Sequence, residues 1–183
     1  MKKIILSISV LSLLFTGCNK TQDPFEISKQ HVGLLTDSTL VKNLKTVFLN
    51  DSINEVINDN GFLGIGKSIE VFDNSGKKLL ILNPEYKPDT TAVVKSVQII
   101  DPRFKTEKDI TTQSTFKDIS SNYKISRIDN LINSVVVTVN EINASFTIDK
   151  QELPANIRFD MDLDIEAMHI PENAKIKYFF INW

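Results

Sequence analysis

Ser134-Val135-Val136-Val137-Thr138-Val139 and Ala144-Ser145-Phe146-Thr147-Ile148, joined by Asn140-Glu141-Ile142-Asn143, decide the fold class. Both runs are rich in β-branched and aromatic residues and have strand length, while the joining residues favour a turn. The stretch predicts an antiparallel hairpin. A similar hairpin is predicted upstream. Ile69 and Val71 alternate with Ser68 and Glu70, Asp73-Asn74-Ser75-Gly76 turns the chain, and Leu79 to Leu82 returns.

Outward from each hairpin, a helix start precedes the strands. Thr112-Gln113-Ser114-Thr115 offers capping oxygens before Phe116, Ile119 and Tyr123 at helical spacing. Thr36-Asp37-Ser38-Thr39 stands in the same relation to Leu40, Leu44, Val47 and Phe48. The recurrence predicts an internal duplication of helix then hairpin, over about 32–83 and 93–149. Phe25 to Leu35 is expected to open the sheet, and Ser52 to Asn58 to add a second short helix. Val93 to Ile100 reads as a strand stopped by Asp101-Pro102. Lys150 to Asn156 reads as a turn or short helical piece.

Phe159, Met161, Leu163 and Ile165 alternate with Asp160, Asp162, Asp164 and Glu166, which predicts a strand with one acidic face. Ala174 to Trp183 predicts a final strand inside the sheet. Tyr178 and Phe180 make one of its faces apolar, and Phe179 and Ile181 the other. Such one-sided strands and amphipathic helices must bury their apolar faces together. The expected fold is therefore α+β: one domain over 25–183, a mainly antiparallel sheet with short helices packed on one face.

The N-terminus, Met1 to Cys18, has a different character. Lys2 and Lys3 precede an apolar run, Ile4 to Phe15, which as a helix would be about 18 Å long. That is too short to cross a hydrocarbon core of about 30 Å, so it reads as a signal-peptide core. Thr16-Gly17-Cys18 after this run resembles the lipobox of bacterial lipoproteins. The resemblance implies cleavage between Gly17 and Cys18, with a diacylglycerol thioether and an N-acyl chain on Cys18. Residues 1–17 would then be the signal peptide and 18–24 a lipidated tether. The expected partner at that point is membrane lipid. Asn19, where enteric lipoproteins retained at the inner membrane carry Asp, leans toward the outer membrane of a bacterial envelope.

Composition narrows the function. The chain has 183 residues, a net charge of −2, one cysteine and two histidines. A nucleic-acid footprint needs a positive excess, and a disulfide scaffold or cysteine-based zinc site needs more cysteine. Gly61-Phe62-Leu63-Gly64-Ile65-Gly66-Lys67-Ser68 matches the Walker A letters. A phosphate loop needs a strand before it and a helix after it. Asn58-Asp59-Asn60 does not read as a strand end, and Ile69 and Val71 read as a strand, so no nucleotide is expected. The acidic residues 160–166 lack the glycine and glutamate spacing of a calcium loop, and read as a solvated face, with a hard cation or a basic partner as the alternative. His31 and His169 have no metal-ligand spacing. No cofactor, metal or catalytic residue is expected. Arg103, Phe104 and Lys105 form a basic–aromatic cluster after a strand, which reads as ordinary loop packing or, if the loop projects them, as a contact for a partner.

Val32-Gly33-Leu34-Leu35, Asp51-Ser52-Ile53, Asp101 to Lys108 and Ala174 to Phe179 resemble a set of uncharacterised lipoproteins from Bacteroidota-type bacteria, a likeness that implies no activity. The helix–hairpin pattern is similar to the repeats of β-lactamase-inhibitor-protein and BamE-like folds. The expected function is a non-catalytic, lipid-anchored envelope protein that binds an envelope protein or supports an assembly. The alternative is an inhibitor or immunity-type protein directed at a secreted enzyme or toxin.

Overall fold

The computed structural model describes residues 22–59, 65–88 and 90–183. The expectations for residues 1–21, including cleavage at Gly17 and lipidation at Cys18, lie outside these residues, as does Gly61 to Gly64.

The chain opens with three two-residue strands, β1 (Glu26–Ile27), β2 (His31–Val32) and β3 (Leu35–Thr36). A 3-10 turn, Val41–Asn43, runs into α1 (Leu44–Val47). Four strands follow as a meander: β4 (Ser52–Asp59), β5 (Ile65–Phe72), β6 (Lys78–Pro84) and β7 (Val94–Ile99). After β8 (Lys105–Thr106) and α2 (Phe116–Asn122), a second meander forms from β9 (Arg127–Asn130), β10 (Ser134–Val139), β11 (Ala144–Asp149) and β12 (Ile176–Asn182). Between β11 and β12 lie 3-10 turns at Lys150–Glu152 and Ala167–His169.

The two meanders meet on their last strands. The large sheet has the order β4-β5-β6-β7-β12-β11-β10-β9, and every neighbouring pair is antiparallel. Each half is thus a short helix followed by four consecutive strands. The small sheet, β3-β2-β1-β8, holds the one parallel pairing described, between β1 and β8.

Register builds the core. Val71, Leu80, Ile99, Phe179, Phe146 and Val137 stand opposite one another across six strands, all buried. A second row runs Ile69, Leu82, Val97, Ile181, Ala144 and Val139. The Phe146 and Phe179 rings stack with centroids 4.6 Å apart. Val41, Leu44 and Phe48 from the first helical segment, and Phe116 and Ile119 from α2, join the same cluster. Burying each such side chain contributes roughly 1.5–3 kcal/mol, which is why the short helices are held by packing and not by their own propensity. The row between these two, Glu70, Ile81, Gln98, Phe180, Ser145 and Thr138, carries the other face.

Several expectations are corrected. Residues Ser52 to Asn58 form a strand, because all of β4 pairs with β5, from Ser52 opposite Phe72 to Asp59 opposite Ile65. Asn58-Asp59 is therefore a strand end after all. The strand expected after the glycine loop is β5, which occupies the place of the helix that a phosphate loop requires. Thr36 to Thr39 does not cap a helix. The Thr36 N–H donates to Thr39 Oγ1 at 2.9 Å, and helical structure begins only at Val41. Phe25 to Leu35 opens the small sheet, not the large one. β12 is central as expected, yet only its Phe179 and Ile181 face is fully buried; Tyr178 is exposed and Phe180 half-buried.

Phe159 to Ile165 is not a strand. It forms turns and bends, and all four acidic residues are exposed. Asp160 Oδ1 accepts the N–H groups of Asp162 and Leu163, each at 3.1 Å. The Asn130 side chain donates to the carbonyls of Asp160 and Leu163 at 3.0 Å each. An Asx turn at Asp160 and a tie from β9 replace the strand ladder.

Candidate functional site

Asp101 lies just past the end of β7, where Pro102 stops the strand. Its carboxylate is 0% exposed. Arg103 closes on it with two parallel bonds, Nε to Oδ1 at 3.0 Å and Nη2 to Oδ2 at 3.0 Å, and its backbone N–H adds a third to Oδ1 at 2.8 Å. Lys77 Nζ reaches Asp101 Oδ2 at 2.9 Å. The same Arg103 Nη2 donates to Asp73 Oδ2 at 2.8 Å, tying the β5–β6 turn to the end of β7. Asp73 shapes that turn: its Oδ1 accepts the Ser75 N–H at 3.0 Å, the Ser75 hydroxyl at 2.6 Å and the Lys77 N–H at 3.1 Å.

The guanidinium also lies over the Phe25 ring, 4.8 Å from its centroid, and Phe25 meets Phe104 edge to face at 5.1 Å. These groups wall a cleft of about 380 Å³. Its lining combines polar Asp51, Asp73, Ser75 and Arg103 with apolar Phe25, Leu34, Phe48 and Phe104.

The carboxylates of the cleft, and Asp101 buried behind Arg103, differ in state. The Ser75 hydroxyl, and then Arg103, hold Asp73 well below the usual carboxylate range. Burial pushes Asp101 up, but the Arg103 and Lys77 bonds outweigh it and bring it down to about 2. Asp51 goes the other way: burial raises it, Asp73 adds to the rise, and Arg103 opposes. Asp51 makes no side-chain hydrogen bond among the described residues, so its oxygens are open to a donor from outside.

The N-terminal segment forms part of the wall. Gly33 has φ +55°, and a Cβ there would collide with the Pro24 carbonyl oxygen. The Gly33 N–H donates to the Glu26 carbonyl at 2.7 Å, and the Gln22 side chain donates to the Gly33 carbonyl. The end of the expected tether is thus fastened against the β2–β3 turn.

The predicted contact cluster is split. Arg103 and Phe104 both line the cleft, but Phe104 is buried beneath it instead of projecting. Lys105 pairs with Asp109 at 2.7 Å and lines a different pocket with Asp23, Glu26 and His31. Asp160, Asp162, Asp164 and Glu166 lie apart from the cleft in the loop after β11. His31 Nδ1 is 2.7 Å from Ser28 Oγ, and His169 Nδ1 accepts the Glu166 N–H at 3.0 Å, so both histidines have local structural partners. Among the described residues no cluster of three metal-ligating side chains occurs, and no helix is long and apolar enough to cross a membrane. The residues not foreseen are Phe25, Asp51, Asp73 and Asp101. Only Asp101 had a visible sign, the order Asp101-Pro102-Arg103, since an acid two places before an arginine at a strand end can bind both its N–H and its guanidinium.

No family model and no curated protein matches the chain. Among solved structures it is similar to the uncharacterized protein yfeY from Escherichia coli, with a TM-score of 0.58 and 14% identity. The likeness covers 86% of this chain and 99% of that one. The fold is shared. At that identity the likeness carries the fold alone, since function resides in the site and not in the architecture.

Proposed function

We propose that this chain is a lipid-anchored protein of the bacterial envelope, seated in the outer membrane through acylated Cys18, that binds another envelope protein without catalysing a reaction. The observation that carries the reading is the place of the cleft. Phe25 forms its wall, and only seven positions separate Phe25 from Cys18. Seven extended residues reach at most about 25 Å, so an anchored chain would hold this cleft within that distance of the lipid. The cleft offers an apolar floor beside the open carboxylate of Asp51. That chemistry suits an apolar side chain from a partner protein with a lysine or arginine beside it.

A photocrosslinking residue at Leu34, half exposed on the cleft lip, tests this in intact envelopes. A discrete protein adduct is expected there, absent when the probe sits at the exposed Tyr86, and lost when Asp51→Lys is added. No adduct at position 34, or the same adduct from both positions, contradicts it.

The matching halves of the sheet support an internal duplication. β5 and β10 are each the second strand of a meander, β6 and β11 the third, and a short helix leads each set. The inhibitor or immunity-type alternative rested on this pattern together with an acidic strand face. Residues 159–165 form no strand, which leaves the pattern as its support.

A further inference from the structure

A further pocket, of about 580 Å³, lies at the end of β11, lined by the loop that follows and by Lys177 of β12. We propose that it binds a phosphate-class oxyanion between Lys150, Arg158 and Lys177, the three cations that line it. Lys150 is only 3% exposed, yet among the described residues its ammonium pairs with no acid: Nζ has the Met161 sulfur as its partner, at 3.2 Å. A thioether is a weak, neutral acceptor. The one carboxylate lining the pocket, Asp149, is already engaged. Its Oδ2 takes Lys177 Nζ at 2.8 Å and its Oδ1 takes the Gln151 N–H at 2.9 Å.

Arg158 adds a third cation. It donates from Nη2 to the neutral carbonyls of Gln151 at 2.9 Å and Leu153 at 2.8 Å, and from Nε to Leu153 at 3.3 Å. These bonds orient the guanidinium and neutralise none of its charge. Three cations and one carboxylate therefore line a single pocket. A buried cation without a counter-charge is strongly unfavourable, and a bound oxyanion supplies the missing charge with several acceptors at once. Ile132, 77% exposed, and Phe159, 84% exposed, stand at the pocket with nothing over them. They would admit either a free anion or the headgroup of an anionic lipid with its apolar portion against them.

The test uses the full chain in nonionic detergent, isotopically labelled for amide NMR, with inorganic phosphate as one probe. The other, in a separate arm with the detergent removed, is co-sedimentation with vesicles of phosphatidylcholine with and without phosphatidylglycerol. Phosphate should shift the amide signals of Lys150, Gln151 and Lys177, with affinity falling about tenfold or more in Lys150→Met and unchanged in the exposed control Lys42→Met. Binding seen only with phosphatidylglycerol vesicles, and equally dependent on Lys150, identifies the source as a lipid headgroup and upholds the site. If Lys150→Met does not fold, Lys177→Gln, a change at a half-exposed side chain, must still weaken binding several-fold. No response to either probe, or full binding by the folded Lys150→Met or Lys177→Gln protein, overturns the proposal.

Discussion

Arg103 grips the fully buried carboxylate of Asp101 through two parallel bonds of 3.0 Å each, and so joins the end of β7 to the turn that Asp73 builds. Replacing Asp101 by Asn leaves Arg103 and Lys77 without their shared acid. Arg103 is partly exposed and can rehydrate, so the loss should fall at the low end for a broken buried pair, about 2–3 kcal/mol. Urea unfolding of the two proteins measures it.

Acid should undo the same contact. Asp101 sits at about 2 in the folded chain against an ordinary 3.8, so the unfolded chain takes up its proton first. Its stabilisation is full above the ordinary value and is lost as pH falls from about 4 toward 2. Asp73 is held below the usual range and acts in the same direction. Thermal melts across this window should show a falling melting temperature, with a shallower fall in Asp101→Asn.

Asp51 has the opposite sign. Its carboxyl is raised by burial and by Asp73, so its ionised form is disfavoured by folding. Asp51→Asn should therefore gain on the order of 1–2 °C in melting temperature at neutral pH, and the gain should vanish in acid, where the native Asp51 is protonated. A loss of stability at neutral pH would show that Asp51 has a structural partner.

The turn at Gly33 admits only glycine. A methyl group there meets the Pro24 carbonyl and forces a residue with a side chain to φ +55°. Gly33→Ala should cost about 2 kcal/mol by denaturant titration. It should also expose the bonds after Gln22 to protease, because that segment lies against the turn.

β12 joins the two meanders, so removing residues 176–183 should abolish the cooperative fold instead of trimming it. The milder change Phe179→Ala empties a site between Phe146 and Ile99 and should cost about 3–5 kcal/mol. Circular dichroism on the truncated chain and urea unfolding of the point variant check both.

The legible parts of the fold were those where local pattern and tertiary partner agree. The hairpins β5–β6 and β10–β11 carry alternation and turn residues together, and α2 begins at Thr115, whose N–H and hydroxyl both reach Asp118 Oδ2, at 2.7 and 2.9 Å. The misread parts depend on partners that a local window does not contain. Ile53, Val56 and Ile57 have helical spacing, but the segment is an edge strand that answers to β5. Phe159 to Ile165 alternates like a strand, yet no strand lies beside it, its acids repel one another, and Asp160 and Asn130 supply the bonds instead. The cleft was half visible: Arg103 and Phe104 stood out, while Asp51 and Asp73, respectively 52 and 30 positions earlier, come to them only through sheet order and the β5–β6 turn.

Everything proposed about place and partner depends on a lipid at the start of the mature chain, and mass spectrometry of the N-terminal peptide from native envelopes reads it directly. The account predicts a peptide that begins at Cys18 and carries a diacylglycerol thioether and an N-acyl group. An unacylated Cys18, or a peptide that still includes residues 1–17, would contradict it.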